Sequence, residues 1–344
     1  MRDAVLTLSA FSGISGRENA VRSYLLEQLK AAPAAQRITV DRLGNILVEL
    51  RGKQSAKNRV MFAAHMDEVG AIVTNITAEG YLQFACVGGV MDEVLFGRRV
   101  TVNGHVGVIG GKAVHQCSGD EKKKVPEKSA MLIDIGASSK EEAESVCCVG
   151  DAVCFAETAA SLGNECFMAK ALDDRAGCAI LLKLALTQPE YDVTLAFTVR
   201  EEIGHGGANT AAFIVKPDIA VAIDATTASD IMEVPTAKQV CRQGAGGVIS
   251  FMDRATMYDK ALYDEIFRLA TERGIAVQSK RMVSGGNDAA ALQTAGEGAR
   301  VAAVSLPCRY IHSPLCMLDD SDVRETYRLL EAMMNTLPVW DGAL

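Results

Sequence analysis

The sequence reads as an α/β protein, a mostly parallel sheet flanked by helices, with an all-β domain inserted into it. Three observations predict this. Short apolar runs, "VMFAAH", "DVTLAFTV", "DIAVAIDAT" and "RVAAVSLP", alternate with stretches of helical periodicity. Strands buried on both faces and separated by helices are the pattern of a parallel sheet covered on both sides. Between about Gly70 and Asn164 the alternation stops, and short Val- and Gly-rich strands separated by turns replace it. The chain has 344 residues, 49% of them hydrophobic, enough for a large core in one large or two smaller domains.

The elements follow in order. "SGISGRENAVRSYLLEQLKAA" predicts a helix, with Ser15 and Glu18 as a capping box and Val21, Leu25, Leu26 and Leu29 on one face. "RITVDRLGNILVEL" predicts two strands about a turn at Leu43-Gly44-Asn45, and "RVMFAAHMDEVG" a central strand with a charged end. In the all-β stretch, "AIVTNITAEGYLQFACVGGV", "RRVTVNGHVGVIGGKAV" and "GDAVCFAE" are strands, and "SKEEAESVC" is its one helical segment. After Glu165 come a helix ("DDRAGCAILLKLALTQ"), a strand ("DVTLAFTV"), a short helix ("GGANTAAFIV") and a strand ("DIAVAIDAT"). "GAGGVI" is a turn and strand, "YDKALYDEIFRLATERG" a helix, "RVAAVSLP" a strand and "SDVRETYRLLEAMMNTL" the closing helix.

Composition excludes several functions. Lys+Arg 35 against Asp+Glu 43 gives a net charge of −8, which suits neither nucleic acid nor an anionic membrane. The basic cluster "EKKKVPEK" is short, flanked by acids, and reads as a solvated loop. No apolar run approaches the ~18 residues of a membrane span. The first residues lack the apolar core and cleavage site of a signal peptide. The ten scattered cysteines therefore read as reduced thiols in a cytoplasmic protein.

The charged residues of the α/β part fall at one place in the pattern. His65 closes "VMFAAH" and Asp67 follows; Glu201 and Glu202 follow "TLAFTVR"; Asp224 follows "IAVAI"; "RVAAVSLPCRYI" leads to His312. Asp173 and Asp174 come immediately before a helix. In open α/β sheets the ligand crevice lies outside the carboxyl ends of the strands. Singly, each has an ordinary structural reading: a helix cap for Asp173 or Asp174, a satisfied core histidine, a solvated turn for the glutamates. Their coincidence on one sheet edge points instead to a divalent-cation site, because two histidines with several carboxylates suit hard or borderline ions. One carboxylate of the Glu201–Glu202 pair then binds metal while its neighbour serves as general base toward water. Gly204, Gly206 and Gly207 let the backbone turn closely behind them. HExxH, GxSxG, Walker A and GxGxxG patterns are absent from the sequence.

Five blocks in order, "AAHMDEVG", "KALDDRAGCA", "TVREEIGHGGA", "AIDAT" and "RYIHSP", resemble the signatures of the TET-type aminopeptidases. These are dinuclear metallopeptidases that include glutamyl and deblocking aminopeptidases, some once described as cellulases. The resemblance runs from "LSAFSGISGRE" to the final helix. It implies a discontinuous catalytic domain, residues 1–69 and 165–344, and an inserted β-barrel-like dimerisation domain, residues 70–164. It implies two divalent ions per subunit, zinc or cobalt. His65, Glu202, Asp224 and His312 would be terminal ligands, Asp173 a bridge, Glu201 the general base, and Asp67 the support of His65. His65 and Asp224 would hold one ion, Glu202 and His312 the other. The substrates implied are short peptides that lose their N-terminal residue, and dimers would assemble into a tetrahedral dodecamer with the active sites inside.

Two segments depart from the family pattern, "SGGNDAAA" with Asn287 before Asp288, and "TTASDIMEVPTAKQ" after Asp224. Both bear on substrate choice and neither touches a proposed ligand. His105 and His115, in the β insertion, read as structural or interfacial, and His205 as an alternative ligand or substrate contact. Two other functions compete: a related dinuclear deacylase acting on N-acyl amino acids, and an inactive binding homologue. A glycosidase would leave the histidines unexplained.

Overall fold

In the computed structural model, which describes residues 1–156, 159–163 and 165–342, the apolar runs lie side by side in an eight-stranded sheet. After helices Arg2–Ala10 and Asn19–Leu29, β1 (Ala35–Val40) and β2 (Ile46–Leu50) form an antiparallel hairpin, followed by β3 (Val60–His65). Next come β4 (Gly70–Ile76), β5 (Leu82–Val87), β6 (Arg99–Val102), β7 (His105–Gly110), β8 (Leu132–Asp134) and β9 (Ala152–Phe155). These close on one another as a barrel in the order β4-β5-β8-β7-β6-β9. The chain returns through β10 (Ala160–Leu162) and β11 (Cys166–Ala169) to helix Leu172–Ala185. The rest of the main sheet is β12 (Val193–Thr198), β13 (Ile219–Thr227), β14 (Gly247–Ile249), β15 (Val277–Ser279) and β16 (Arg300–Cys308). Finally β17 (Cys316–Asp319) joins β10 and β11 in a small sheet before the closing helix Asp320–Met334.

The sheet order is β1-β2-β12-β3-β13-β16-β14-β15. The middle strands β12, β3, β13 and β16 are parallel, and β2 and β14 join them antiparallel on either side. Their register fixes the site. Thr198 lies opposite His65, and Asp224 opposite Ser305. Ala222 pairs with Ala63, so two residues further on Asp224 and His65 stand level. One row at the carboxyl edge thus holds His65, Thr198, Asp224 and Ser305.

Alternation along the strands divides the core between the two sheet faces. Val60, Phe62 and Ala64 of β3 pack toward the helices that carry Val5, Leu25, Ile180, Ile266 and Leu329. Met61 and Ala63 face the other way, into a cluster with Ala196, Ala208, Ala211, Ala222 and Leu292. The second face is rich in alanine, which lets helix Gly206–Val215 approach the sheet closely. The barrel has a core of its own, built from Val73, Leu82, Val100, Ile109, Ile133 and Val153.

The barrel interrupts the connection between β3 and helix Leu172–Ala185, so both of its links to the sheet run past the carboxyl edge. The expected domain boundary at residue 164 and the chain end at 344 lie outside the described residues. Besides helix Lys140–Glu144, the stretch also contains a helical turn at Asp92–Leu95 and short 3-10 turns at Val114–Gln116, Glu121–Lys123 and Lys128–Ala130. Helix Arg2–Ala10 and the small β10-β11-β17 sheet were not expected.

The capping box is a correction. The helix begins at Asn19, and its N-cap Glu18 makes no side-chain cap. Ser15 instead donates its hydroxyl to Asp67 Oδ2 at 2.6 Å, and Glu18 accepts the Gly16 N–H at 2.6 Å. A tertiary partner outcompetes the local one. The ten cysteines are all unpaired. Among the described residues no helix is long and apolar enough to cross a membrane.

Candidate functional site

Strand β12 stops at Thr198, and the chain turns through Arg200 at φ 60°, a left-handed conformation unusual for a residue with a side chain. The next two peptide N–H groups, of Glu201 and Glu202, donate to Asp67 Oδ1 (3.0 Å) and Oδ2 (3.2 Å). One carboxylate therefore holds two consecutive amides, which is how neighbouring glutamates come to face the same cavity. The Glu201 carbonyl then accepts from Gly204 and His205 N–H, closing a tight turn with Gly204 at φ 119°. Behind it, Gly207 packs so closely on Val199 that a Cβ there would lie 2.1 Å from the Val199 carbonyl.

Asp67 also stands 3.5 Å from His65 Nδ1, which lies 3.1 Å from the Asp67 carbonyl. Burial by itself would raise the Asp67 carboxyl, but hydrogen bonds from His65, Ser15 and the Glu201 N–H hold it below its ordinary value. Deeper still, Glu68 takes Lys170 Nζ at 2.8 Å and lies 3.4 Å from Arg175 Nη2. The fully buried Arg175 guanidinium donates to the carbonyls of Leu8, Phe11 and Met66, tying the first helix to the end of β3. A buried charge network of this kind is tolerated only when its hydrogen bonds are filled, as they are here.

Asp173 stands at the centre. Its Oδ1 is 3.2 Å from His65 Nε2, and its Oδ2 is 3.4 Å from His312 Nε2. His65 Nε2 is also 3.7 Å from Asp224 Oδ1, and His312 Nε2 is 3.4 Å from Glu202 Oε2. His312, in the left-handed region at φ 57°, is oriented through Nδ1 by the Gly89 carbonyl at 3.0 Å, a contact from the segment that follows β5. Asp174 turns away and caps the helix, accepting the Gly177 N–H at 2.9 Å, so the two adjacent aspartates divide the two roles considered for them.

Charge in this group is unbalanced. Burial, then repulsion from Asp173, pushes the Glu202 carboxyl well up, and the same two causes act on Asp224. Burial raises Glu201. Asp173 is held low against its burial by His312 and His65. Burial opposes charge on both histidines, yet the carboxylates outweigh it, raising His65 well above its ordinary value and His312 to about 10. Crowded carboxylates of this kind relax when a cation sits among them.

The spacing fits such a cation. Charge-assisted hydrogen bonds are about 2.7–2.9 Å long, whereas these histidine–carboxylate separations run from 3.2 to 3.7 Å. Donors sharing a tetrahedral ion at zinc-like bond lengths stand about 3.3–3.5 Å apart. His65, Asp173 and Glu202 offer ligand atoms within 4.8 Å of one another. The donors thus fit divalent cations. Asp173, Glu202, Asp224 and His312 line a cavity of about 500 Å³ that also takes in Glu201, His205, Lys280 and Asn287. All seven residues singled out from the sequence, His65, Asp67, Asp173, Glu201, Glu202, Asp224 and His312, therefore meet at one edge of the sheet. His105 and His115 are exposed on the insertion and do not line that cavity. Among the contributors not read from the sequence are Asp288 and Thr198, which are hydrogen-bonded to each other at 2.6 Å beside His205. An aspartate in a Gly-rich loop and a threonine ending a strand carry no local signal of this pairing.

The sequence profile of the M42 glutamyl aminopeptidase family matches residues 44–329. A putative aminopeptidase of Acetivibrio thermocellus is 36% identical over 332 residues, covering 96% of this chain and 97% of that protein. The solved structure of an aminopeptidase from the archaeon Desulfurococcus kamchatkensis is 33% identical and superposes with a TM-score of 0.92, over 97% of this chain and 94% of that one. The TET1 peptidase of Pyrococcus horikoshii, described as able to assemble into a tetrahedron or a large octahedral shell, is 32% identical with a TM-score of 0.85, over 97% and 99% of the two chains. The chain belongs to the M42 glutamyl aminopeptidase family, whose members are metal-dependent hydrolases acting on peptide bonds.

Proposed function

We propose that this protein removes the N-terminal residue of short peptides at a site for two divalent cations, zinc or cobalt, with Glu201 as the general base. The observation that carries the reading is Asp173. Its two oxygens face two different histidines, one beside Asp224 and the other beside Glu202. This suits a bridging carboxylate between a pair of cations, one held by His65 and Asp224, the other by His312 and Glu202. Bound cations there supply Lewis-acid polarisation of the scissile carbonyl and a water of lowered pKa.

The chain's own residues do the rest. Asp67 orients the His65 ring and fixes both glutamate amides. Glu201, which faces the same cavity beside Glu202, would take a proton from water and hand it to the leaving nitrogen. The cavity, of about 500 Å³, is within the size range of small-ligand sites. We read residues 1–69 and 165–344 as the catalytic unit and residues 70–164 as a self-association module, the dimers building a tetrahedral dodecamer. The exposed apolar side chains of Phe96, Val106, Val108 and Val114 on the barrel support that role, and sedimentation of the whole chain measures it.

The test is hydrolysis of short peptides differing only in their first residue, alongside N-acetylated counterparts, after loading with zinc or cobalt. Release of free N-terminal residues with the acetylated set untouched is expected. Removal of the acyl group would establish the deacylase instead, and no turnover from fully metallated protein would overturn both.

A further inference from the structure

Next to the carboxylates assigned above lie two donors that the proposed reaction leaves unused, His205 and Asp288, both beside the assigned base Glu201. His205 Nδ1 stands 3.1 Å from Glu201 Oε1 and 3.5 Å from Asp288 Oδ1. Ligand atoms of these three residues all lie within 4.8 Å of one another. The contacts are not aligned hydrogen bonds: His205 Nδ1 and Asp288 Oδ1 are both buried atoms without a hydrogen-bond partner among the described residues. Nor can Asp288 turn to water. It is 3% exposed, and its other oxygen is engaged by the Thr198 hydroxyl. A buried carboxylate oxygen and a buried imidazole nitrogen face each other at ion-pair distance without an aligned hydrogen bond, an arrangement that accommodates a cation between them.

The spacing says which. Donors around a tetrahedral zinc stand about 3.3–3.5 Å apart; His205 and Asp288 stand 3.5 Å apart, and Glu201, at 3.1 Å from His205, needs to move back by only a few tenths of an ångström. The backbone holds the ring in place, with His205 at φ 62° and its N–H bonded to the Glu201 carbonyl at 3.2 Å. That turn folds the imidazole back over the glutamate four residues earlier. An imidazole with two carboxylates favours zinc and its neighbours over magnesium or calcium.

We propose that Glu201, His205 and Asp288 form a third, weaker cation site at which zinc occupies the general base and stops turnover. A cation bound at Glu201 Oε1 withdraws charge from the carboxylate and lowers its ability to accept the water proton, so excess zinc inhibits an enzyme that needs divalent metal. Binding must also compete with the close contacts His205 makes with the two carboxylates, which makes this the weaker site. The inhibitory half rests on the reading of Glu201 as base, whereas the binding half does not.

Metal-free protein is dialysed against rising free Zn2+, and bound zinc per chain and peptide hydrolysis are measured on the same samples. The expected result is one further zinc per chain, binding roughly tenfold or more weaker than the tight uptake, with turnover falling roughly tenfold over the same range; Mg2+ produces neither. His205→Ala and Asp288→Asn should each keep the tight uptake but shift the further zinc and the inhibition midpoint upward by roughly tenfold or more, with folding checked by circular dichroism. The site is overturned if wild type binds no further zinc, or if both variants bind it undiminished. Further zinc bound with turnover unchanged overturns the inhibitory role. Absence of turnover at every zinc level, with the weak zinc still lost in the variants, would count against the peptidase reading and leave the cation site standing.

Discussion

Replacing Asp67 by asparagine tests whether one buried carboxylate assembles the site. Asp67 accepts the Glu201 and Glu202 N–H groups at 3.0 and 3.2 Å and the Ser15 hydroxyl at 2.6 Å, with His65 Nδ1 3.5 Å away. Asparagine keeps one oxygen, so one glutamate amide would meet an NH2 group, while Ser15 can rotate its hydroxyl and accept instead. An unpaired buried donor costs about 1–3 kcal/mol. The remaining hydrogen bonds lose the strengthening that charge gives them, about another 1 kcal/mol. We therefore expect Asp67→Asn to destabilise the metal-free protein by about 2–4 kcal/mol. His65 also loses its anionic neighbour, an effect worth about 10–100-fold in metal affinity. Denaturant unfolding of the metal-free protein at pH 7 measures the first quantity, and competition with a chelator the second. An unchanged unfolding midpoint together with unchanged affinity would refute the idea that Asp67 organises this site. Lost stability with unchanged affinity would refute only its support of His65.

Three further outcomes are expected. Glu201→Gln should keep metal uptake while turnover falls by about 10²–10⁴; full activity in that variant would sink the base assignment. Asp173→Asn should lower the number of metal ions bound per chain at a fixed free concentration, and unchanged uptake would sink the bridge. Asp259 caps helix Lys260–Glu272 by accepting the Leu262 N–H at 2.8 Å, and it pairs with Arg300 at 2.8 and 2.9 Å. Asp259→Ala should cost about 1 kcal/mol for the cap and about 0.5–1 kcal/mol for the partly exposed pair. Arg300 holds the Asp259 carboxyl below its ordinary value, so this stability is present at neutral pH and disappears as pH falls through the folded-state pKa, below about 4. The gap between wild type and variant should therefore narrow in acid, and a gap constant from neutral pH downward would contradict the pairing.

Most of the frame was legible because burial writes itself into composition. The fully buried β3, and β13 and β16 with all but one residue buried, read as apolar runs, and strands covered on both faces cannot be mistaken for an amphipathic surface. The site was legible for a related reason: charges placed immediately after such runs, as at His65, Glu201 and Asp224, have no solvent to explain them. Short elements without a strong pattern were not legible. Helix Arg2–Ala10 has no side-chain cap at its start, and β10 has three exposed residues and, among the described residues, pairs only with β11. The Ser15–Glu18 misreading has the same root, since a local capping pattern says nothing of a better partner 52 residues away.

By itself the sequence determined the α/β alternation, the inserted β-rich segment, and which residue types stand at the strand ends. It also determined which carboxylates and histidines were available for chemistry. Only the tertiary structure decided how they meet: Asp173 presenting one oxygen to each histidine, Asp67 holding both glutamate amides, and Asp288 reaching His205. Periodicity and composition report what each segment buries, which is a local property. A donor and acceptor separated by 134 residues, as Glu201 and Asp67 are, or by 90, as Thr198 and Asp288 are, find each other through sheet register and loop path, and no local pattern contains either.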